Sequence, residues 1–92
     1  EFLYYLEQVI HDRREHPIEG SYTNHLFSRG LNRIAQKVGE EAIELVIESK
    51  DDNRSLFLGE AADLMYHLMV LLAAKNVQLA DVIDVLKGRH SR

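Results

Sequence analysis

The sequence predicts an all-α protein of four to five helices. Apolar residues recur at helical spacing through most of its 92 residues, and only one Pro and five Gly interrupt them. The 46% of hydrophobic residues is enough for one modest core, since a chain of this length buries about 60–70% of its unfolded surface. We therefore expect one domain over residues 1–92, built as a helical bundle.

The first helix is predicted from Phe2 to about residue 15, and a short second helix follows it. Pro17 pushes the residue before it away from the α region, so the first helix should end before His16. After a loop at 18–20, hydroxyl groups at positions 21–23 can cap a helix entered at Asn24. That helix should stop or kink at Gly30.

The third helix is predicted from Leu31 to about Ser49. One stripe of apolar residues should face the core: Leu31, Ile34, Ala35, Val38, Ala42, Leu45 and Val46. Glu41 is the acidic residue nearest this stripe. Ile43 and Ile47 form a second apolar strip on the opposite side, which a simple monomer surface has little reason to carry. We expect this strip to be a surface for a partner.

The fourth helix is the most apolar part of the chain. A polar loop at 50–55 should precede it and supply its N-cap from Asp52 or Ser55. From Leu56 to Lys75 the helix is apolar almost all round, which is typical of a central helix. A shorter fifth helix is predicted at 80–86, followed by a polar tail at 89–92.

Four acidic residues on the third and fourth helices are spaced as two pairs. Residues three apart on a helix lie one above the other, so Glu41 and Glu44 share one face, as do Glu60 and Asp63. Carboxylates beside a core stripe and inside an apolar helix are costly unless a cation joins them. Oxygen ligands suit Mg²⁺, with Mn²⁺ as a substitute. We therefore favour a magnesium site for phosphate chemistry over a solvated acidic face.

Basic and histidine side chains flank these pairs. Arg33 and Lys37 precede the acids on the same side of the third helix, where they could neutralise phosphate oxygens or form ion pairs such as Lys37–Glu41. The sequence does not decide between these two interpretations. His67 lies one turn beyond Asp63 and could orient a ligand or contact a phosphate, although a lone His on a helix is more often structural.

Composition and charge exclude several classes of protein. The chain has no cysteine, which excludes disulfides and thiolate metal sites and is compatible with a reducing cytoplasm. A net charge of −4 provides no basic field for nucleic acid. The longest apolar run is short of the roughly 20 residues that a membrane span requires, and the first residues lack the pattern of a signal peptide. We expect a soluble, cytoplasmic protein.

Three segments of the sequence stand out as motifs: residues 21–23 (SYT), 33–41 (RIAQKVGEE) and 60–68 (EAADLMYHL). They resemble the phosphoribosyl-ATP pyrophosphohydrolase family of histidine biosynthesis, and the likeness spans nearly the whole chain. The acids at 40, 41, 44, 60 and 63 are also similar to the metal motif of the wider MazG-like, all-α nucleotide pyrophosphohydrolases. The first two segments are what narrow the resemblance to the histidine-pathway family.

The resemblance implies hydrolysis of phosphoribosyl-ATP to phosphoribosyl-AMP and pyrophosphate by a Mg²⁺-dependent homodimer. It assigns the metal to Glu41, Glu44, Glu60 and Asp63 and catalytic roles to Glu40, Glu41 and Glu44, with Glu40 beside the metal ligands or activating water. The predicted substrate contacts are Ser21, Tyr22, Thr23, Arg33, Lys37 and His67. The abrupt start of the chain also resembles the junction of bifunctional enzymes, whose N-terminal half is a phosphoribosyl-AMP cyclohydrolase.

Two other classes of helical protein share some of these features. A carboxylate-bridged di-iron bundle needs Glu-x-x-His pairs, and no Glu in this chain has a His three residues later. A non-catalytic dimerisation module would explain Ile43 and Ile47 but not the paired acids. Measuring divalent-metal binding by the wild type and by Glu44→Gln would distinguish a non-catalytic dimerisation module from a metal-dependent enzyme.

Overall fold

The protein, described here by a computed structural model over residues 1–90, is all-α as predicted. The described residues contain five helices and no strand. The helices are α1 (Phe2–Glu15), α2 (Tyr22–Arg29), α3 (Leu31–Glu48), α4 (Arg54–Ala74) and α5 (Leu79–His90). The order and approximate bounds of all five agree with the sequence prediction.

Local capping explains where α1 and α2 begin and end. The C-cap of α1 is His16, directly before Pro17, and its N–H donates to the carbonyl of Asp12. The second helix begins at Tyr22 and not at Asn24 as predicted, because the Ser21 hydroxyl caps it by accepting from the Asn24 N–H at 3.3 Å. Gly30 ends α2 and begins α3, and its φ of 89° is one that glycine adopts without strain.

The bounds of α4 and α5 differ more from the prediction. The N-cap of α4 is Asn53, whose side-chain oxygen accepts from the Leu56 N–H at 3.1 Å, and neither Asp52 nor Ser55 takes this role. The last helix continues to His90, so the prediction of a polar tail is wrong for residues 89 and 90. Basic groups in its last turn favour this extension, since they complement the negative end of the helix dipole. Positions 91 and 92 of the predicted tail lie outside the described residues.

The core lies where α1, α2 and α3 meet the C-terminal half of α4. Helices α3 and α4, joined by the short segment 49–53, form the most extensive helix–helix contact, and α1 and α2 pack against this pair. Six hydrophobic residues are buried in one cluster: Ile10, Leu26, Ile34, Met69, Val70 and Ala73. Arg14 closes one end by donating to the Ala73 carbonyl and to the Asn76 side chain.

Much apolar surface is left uncovered by this core. The radius of gyration is 14.5 Å, whereas a compact domain of this length has about 12 Å. The predicted core stripe of α3 is buried only at Ile34, while Val46 is 57% exposed. The prediction of a central α4 is correct for its second half, but Leu56 and Leu58 at its start are 53% and 50% exposed. The predicted strip of Ile43 and Ile47 is exposed as well.

Helix α4 is also long and apolar enough to cross a membrane by length and composition alone. The uninterrupted apolar runs of the sequence are too short to predict such a segment. Core helices of soluble proteins meet the same criteria. Here the second half of α4 packs against the other helices, and acidic residues lie along its first half.

Candidate metal centre

The acidic residues of α3 and α4 come together in one cluster. Glu41 of α3 and Glu60 and Asp63 of α4 each place a carboxylate oxygen within 4.8 Å of the other two. The helical spacing explains the arrangement, since Glu60 and Asp63 lie one above the other on the side of α4 that meets α3. Glu41 is buried, Glu60 is half-buried and Asp63 is exposed, so the cluster opens to solvent at one end.

Glu44 extends the cluster by one turn of α3. Its carboxylate lies beside that of Glu60, near enough for the two to share a hydrogen bond when one of them is protonated. Desolvation, this hydrogen bond and the negative charges of Glu44, Glu41 and Asp63 raise the pKa of Glu60 to about 7. The four predicted metal ligands therefore lie together, and they repel one another in the absence of positive charge.

The cluster has the chemistry of a divalent-cation site. Among the described residues, Glu41 Oε2 and Glu60 Oε2 are buried carboxylate oxygens without a hydrogen-bond partner. An unpartnered buried oxygen is costly, and a cation would satisfy both. The donors are all carboxylate oxygens, which suit hard cations such as Mg²⁺ and Mn²⁺.

Basic side chains lie on the α3 side of the cluster. Lys37 Nζ is 3.3 Å from Glu41 Oε1 and 3.6 Å from Glu40 Oε1, so the predicted ion pair is present. Desolvation lowers the pKa of Lys37, but the hydrogen bond to Glu41 and the neighbouring negative groups outweigh it and raise this pKa. Arg33 is 4.0 Å from Glu40 at its nearest atoms. Both bases are therefore within reach of the acids, and their role as phosphate contacts stays a prediction.

Glu40 faces these bases, and it is not part of the acidic cluster. It accepts a hydrogen bond from Gln36 at 2.9 Å, which is the main cause of its lowered pKa. Desolvation opposes this effect, and the charges of Lys37 and Arg33 reinforce it. Its predicted role beside the metal or on the attacking water is untested, and its carboxylate stays ionised at neutral pH.

Glu48 is a further acidic residue that the sequence analysis did not select. It lies one turn after Glu44 on α3, and its Oε2 is buried without a hydrogen-bond partner among the described residues. The i, i+4 spacing from Glu44 was the available signal. The predicted pairs of acidic residues ended at Glu44 and did not include Glu48.

The predicted substrate contacts on α2 reach α4. Tyr22 Oη lies 2.7 Å from His67 Nε2, and His67 Nδ1 lies 2.7 Å from the backbone carbonyl oxygen of Asp63. The Thr23 hydroxyl is buried and hydrogen-bonded to that of Tyr66. Ser21 serves as the helix cap. These polar groups are thus hydrogen-bonded within the protein, and their contacts with substrate stay predictions.

A broad cavity of about 1020 Å³ lies beside α2. Residues 17–22 and residues of α2 line it, and among them Tyr22 reaches His67 of α4 with its hydroxyl. A cavity of this size accommodates a nucleotide. Acids that can hold a cation and bases that can pair with phosphate form a site suited to a phosphorylated substrate, and Tyr22 connects the cavity to the helix that carries two of these acids.

Comparisons with known proteins agree with this geometry. The chain matches the family model described as phosphoribosyl-ATP pyrophosphohydrolase over residues 3–90. It is 48% identical over 92 residues to a phosphoribosyl-ATP pyrophosphatase of Clostridium acetobutylicum, covering 100% of this chain and 84% of that one. A phosphoribosyl-ATP pyrophosphatase of Listeria monocytogenes is 52% identical over 87 residues, 95% of this chain and 84% of its own length. The histidine biosynthesis bifunctional protein HisIE of Caldanaerobacter subterraneus is 48% identical over 92 residues, which are 100% of this chain and 45% of that protein.

Proposed function

This chain belongs to the phosphoribosyl-ATP pyrophosphohydrolase family, and on that basis we propose that it hydrolyses phosphoribosyl-ATP to phosphoribosyl-AMP and pyrophosphate. This reaction is the second step of histidine biosynthesis, and we propose that it uses a divalent cation at the acidic cluster. The observation that carries this proposal is the convergence of Glu41, Glu60 and Asp63. Two buried oxygens of this cluster, one of Glu41 and one of Glu60, have no hydrogen-bond partner among the described residues.

The proposed metal ligands are Glu41, Glu44, Glu60 and Asp63, and Mg²⁺ is the proposed ion, with Mn²⁺ as a substitute. Such an ion supplies charge neutralisation for the triphosphate and acidifies a water molecule. The protein contributes by holding four carboxylates at the junction of α3 and α4. Mutual repulsion among them favours occupancy by a cation.

In the reaction, water attacks the α-phosphorus and the bond to the bridging oxygen breaks, so that pyrophosphate leaves. A carboxylate takes the proton from the water, and we assign this role to one of Glu40, Glu41 and Glu44. Glu40 is partly exposed, and its lowered pKa keeps it ionised at neutral pH, so it can accept a proton there although it is a weaker base than an ordinary carboxylate. Lys37 and Arg33 would balance charge on the phosphate oxygens, which is the main contribution of protein side chains to phosphoryl transfer.

We also propose that the enzyme is a homodimer. The strip of Ile43 and Ile47 is 63% and 57% exposed, and Leu58 and Leu68 of α4 are 50% and 42% exposed. A monomer leaves these large apolar side chains of α3 and α4 in water, and such exposure is typical of an interaction surface. A second copy with the same exposed residues could cover these side chains across a two-fold interface.

The cellular setting follows from the same resemblance. We propose a cytoplasmic enzyme that is soluble in spite of the apolar α4. Fusion to a phosphoribosyl-AMP cyclohydrolase domain stays a prediction, and it is supported by the relatives named as bifunctional proteins, which this chain matches over less than half of their length.

Pyrophosphate release from phosphoribosyl-ATP tests the activity. We expect release by the wild type in the presence of Mg²⁺ and its loss in Glu60→Gln, which removes a charge from the cluster without changing its shape. The matched control is Glu15→Gln, the same substitution at an exposed position on the last turn of α1. No release by the wild type, or equal release by both variants, would contradict the proposal. Divalent-cation binding measured in parallel distinguishes a failed metal site from a different substrate.

A further inference from the structure

Tyr22 connects the cavity beside α2 to helix α4. It is 49% exposed and lines the cavity, while its hydroxyl lies 2.7 Å from Nε2 of the buried His67. The two rings meet edge to face, with centroids 5.7 Å apart. One ring therefore touches both the open side of the site and the helix that carries Asp63.

The hydrogen bonds of His67 determine the direction of this contact. The Asp63 carbonyl oxygen can only accept, so His67 Nδ1, at 2.7 Å, must carry the proton. In the neutral ring Nε2 is then the acceptor, and the Tyr22 hydroxyl donates to it. Both nitrogens of a ring that is only 5% exposed are thus used inside the protein. None remains for a phosphate.

We infer that Tyr22 is a positioning residue, whose hydroxyl bond to His67 holds its ring at the cavity, where the exposed ring face packs against the nucleotide part of the substrate. This inference rests on the proposed function. In this arrangement His67 positions Tyr22, and the aromatic ring of Tyr22 contacts the substrate. Aromatic faces stack on nucleobases irrespective of base identity, so the contact supplies affinity more than selectivity.

Loss of the hydroxyl should therefore weaken substrate binding without disturbing the metal ligands. In Tyr22→Phe we expect KM to rise about fivefold, the factor that one net hydrogen bond provides, with kcat within about twofold of the wild type. Tyr22→Leu also removes the ring face, and its KM should rise about tenfold or more. Mn²⁺ affinity should stay within about twofold in both variants, because Asp63, Glu60 and Glu41 are untouched.

Variants at His67 test the direction of the hydrogen bond. His67→Gln can place an oxygen near the former Nε2 and still accept from Tyr22, so its KM should rise less than that of a variant without this acceptor. His67→Asn keeps a donor for the Asp63 carbonyl but lacks that acceptor, so its KM should match that of Tyr22→Phe. The double variant Tyr22→Phe with His67→Asn should be no worse than either single variant, since both remove the same bond.

Tyr66→Phe is the matched control. It removes one hydroxyl from the other hydrogen bond between α2 and α4, the bond between Tyr66 and Thr23, away from the cavity. We expect a lower melting temperature and an unchanged KM. A merely structural role of Tyr22 would give Tyr22→Phe and Tyr66→Phe the same effects.

Histidine ring ¹⁵N resonances of the metal-free protein provide a readout that does not depend on activity. His67 should show the proton on Nδ1, and Tyr22→Phe should change the Nε2 resonance most. A proton on Nε2 alone, or an active wild type whose KM is unchanged in Tyr22→Phe, overturns the inference. A wild type that releases no pyrophosphate overturns the proposed function and with it the substrate role of Tyr22, whatever the ring nitrogens show.

Discussion

Cation binding at the acidic cluster should depend on pH through Glu60. Its pKa is raised from the ordinary value of 4.5 to about 7 by desolvation, by its hydrogen bond with Glu44 and by the neighbouring carboxylates. A divalent cation competes with the proton on this group, so that binding releases the proton wherever Glu60 is protonated. Affinity should therefore rise with pH and level off above about pH 7.

The release of one proton on cation binding determines how strongly the affinity depends on pH. From about pH 7 to pH 6 the affinity should fall about fivefold, and by about tenfold for each further pH unit while Glu60 is the dominant titrating group. Calorimetric titration with Mn²⁺ in two buffers of different ionisation enthalpy measures both the affinity and the number of protons released. Glu60→Gln should bind more weakly at pH 8 and show a much flatter pH dependence.

The raised pKa of Glu60 also determines how the stability of the metal-free protein changes with pH. Because the folded-state pKa of Glu60 lies above its unfolded value, protonated Glu60 contributes stability that is fully present below about pH 4.5 and is lost as the pH rises through about 7. The melting temperature of the metal-free protein should thus decline over this range, and Mg²⁺ should restore it at pH 8. An equal pH slope of Mn²⁺ affinity in wild type and Glu60→Gln would refute the reasoning.

Two further predictions concern the scaffold. Ile43→Glu places a charge on the exposed strip of α3 and should halve the mass measured by light scattering. The control Lys50→Glu, at an exposed polar position, should leave this mass unchanged. A monomeric wild type would contradict the proposed homodimer. Gly30→Ala should lower the free energy of unfolding by about 1–3 kcal/mol, because a φ of 89° with a ψ of 175° is nearly exclusive to glycine. Urea titrations of the wild type and the variant measure this difference.

The acidic cluster could be predicted because it depends on helix phase. The i, i+3 spacing fixed which carboxylates share a face, and the apolar stripe placed Glu41 nearest the core, where it is in fact buried. The orientation of Glu40 could not be predicted in this way. It follows from ion pairs with Lys37 and Arg33 on the same helix, which compete with the cluster for the carboxylate.

Burial and long-range contacts were harder to predict for physical reasons. Periodicity shows which residues share a face, but it does not show whether the chain has another element to cover that face, so Val46 and Leu56 were expected to be buried and are exposed. The bond between Tyr22 and His67 joins residues 45 positions apart. No local pattern encodes such a pair, although the resemblance had selected both members.

The single residue between α2 and α3 has a consequence for how this fold can vary in length. Gly30 is the C-cap of one helix and the N-cap of the next, so the direction of α2 relative to α3 is determined by its two dihedral angles. An inserted residue would turn one helix against the other by about 100°, and Tyr22 would lose its place over the α3–α4 pair. The segment 49–53 is long enough to accommodate an inserted residue, whereas α2 and α3 are joined by the single residue at position 30. Insertions and deletions should therefore be tolerated at 49–53 and should abolish activity at 30.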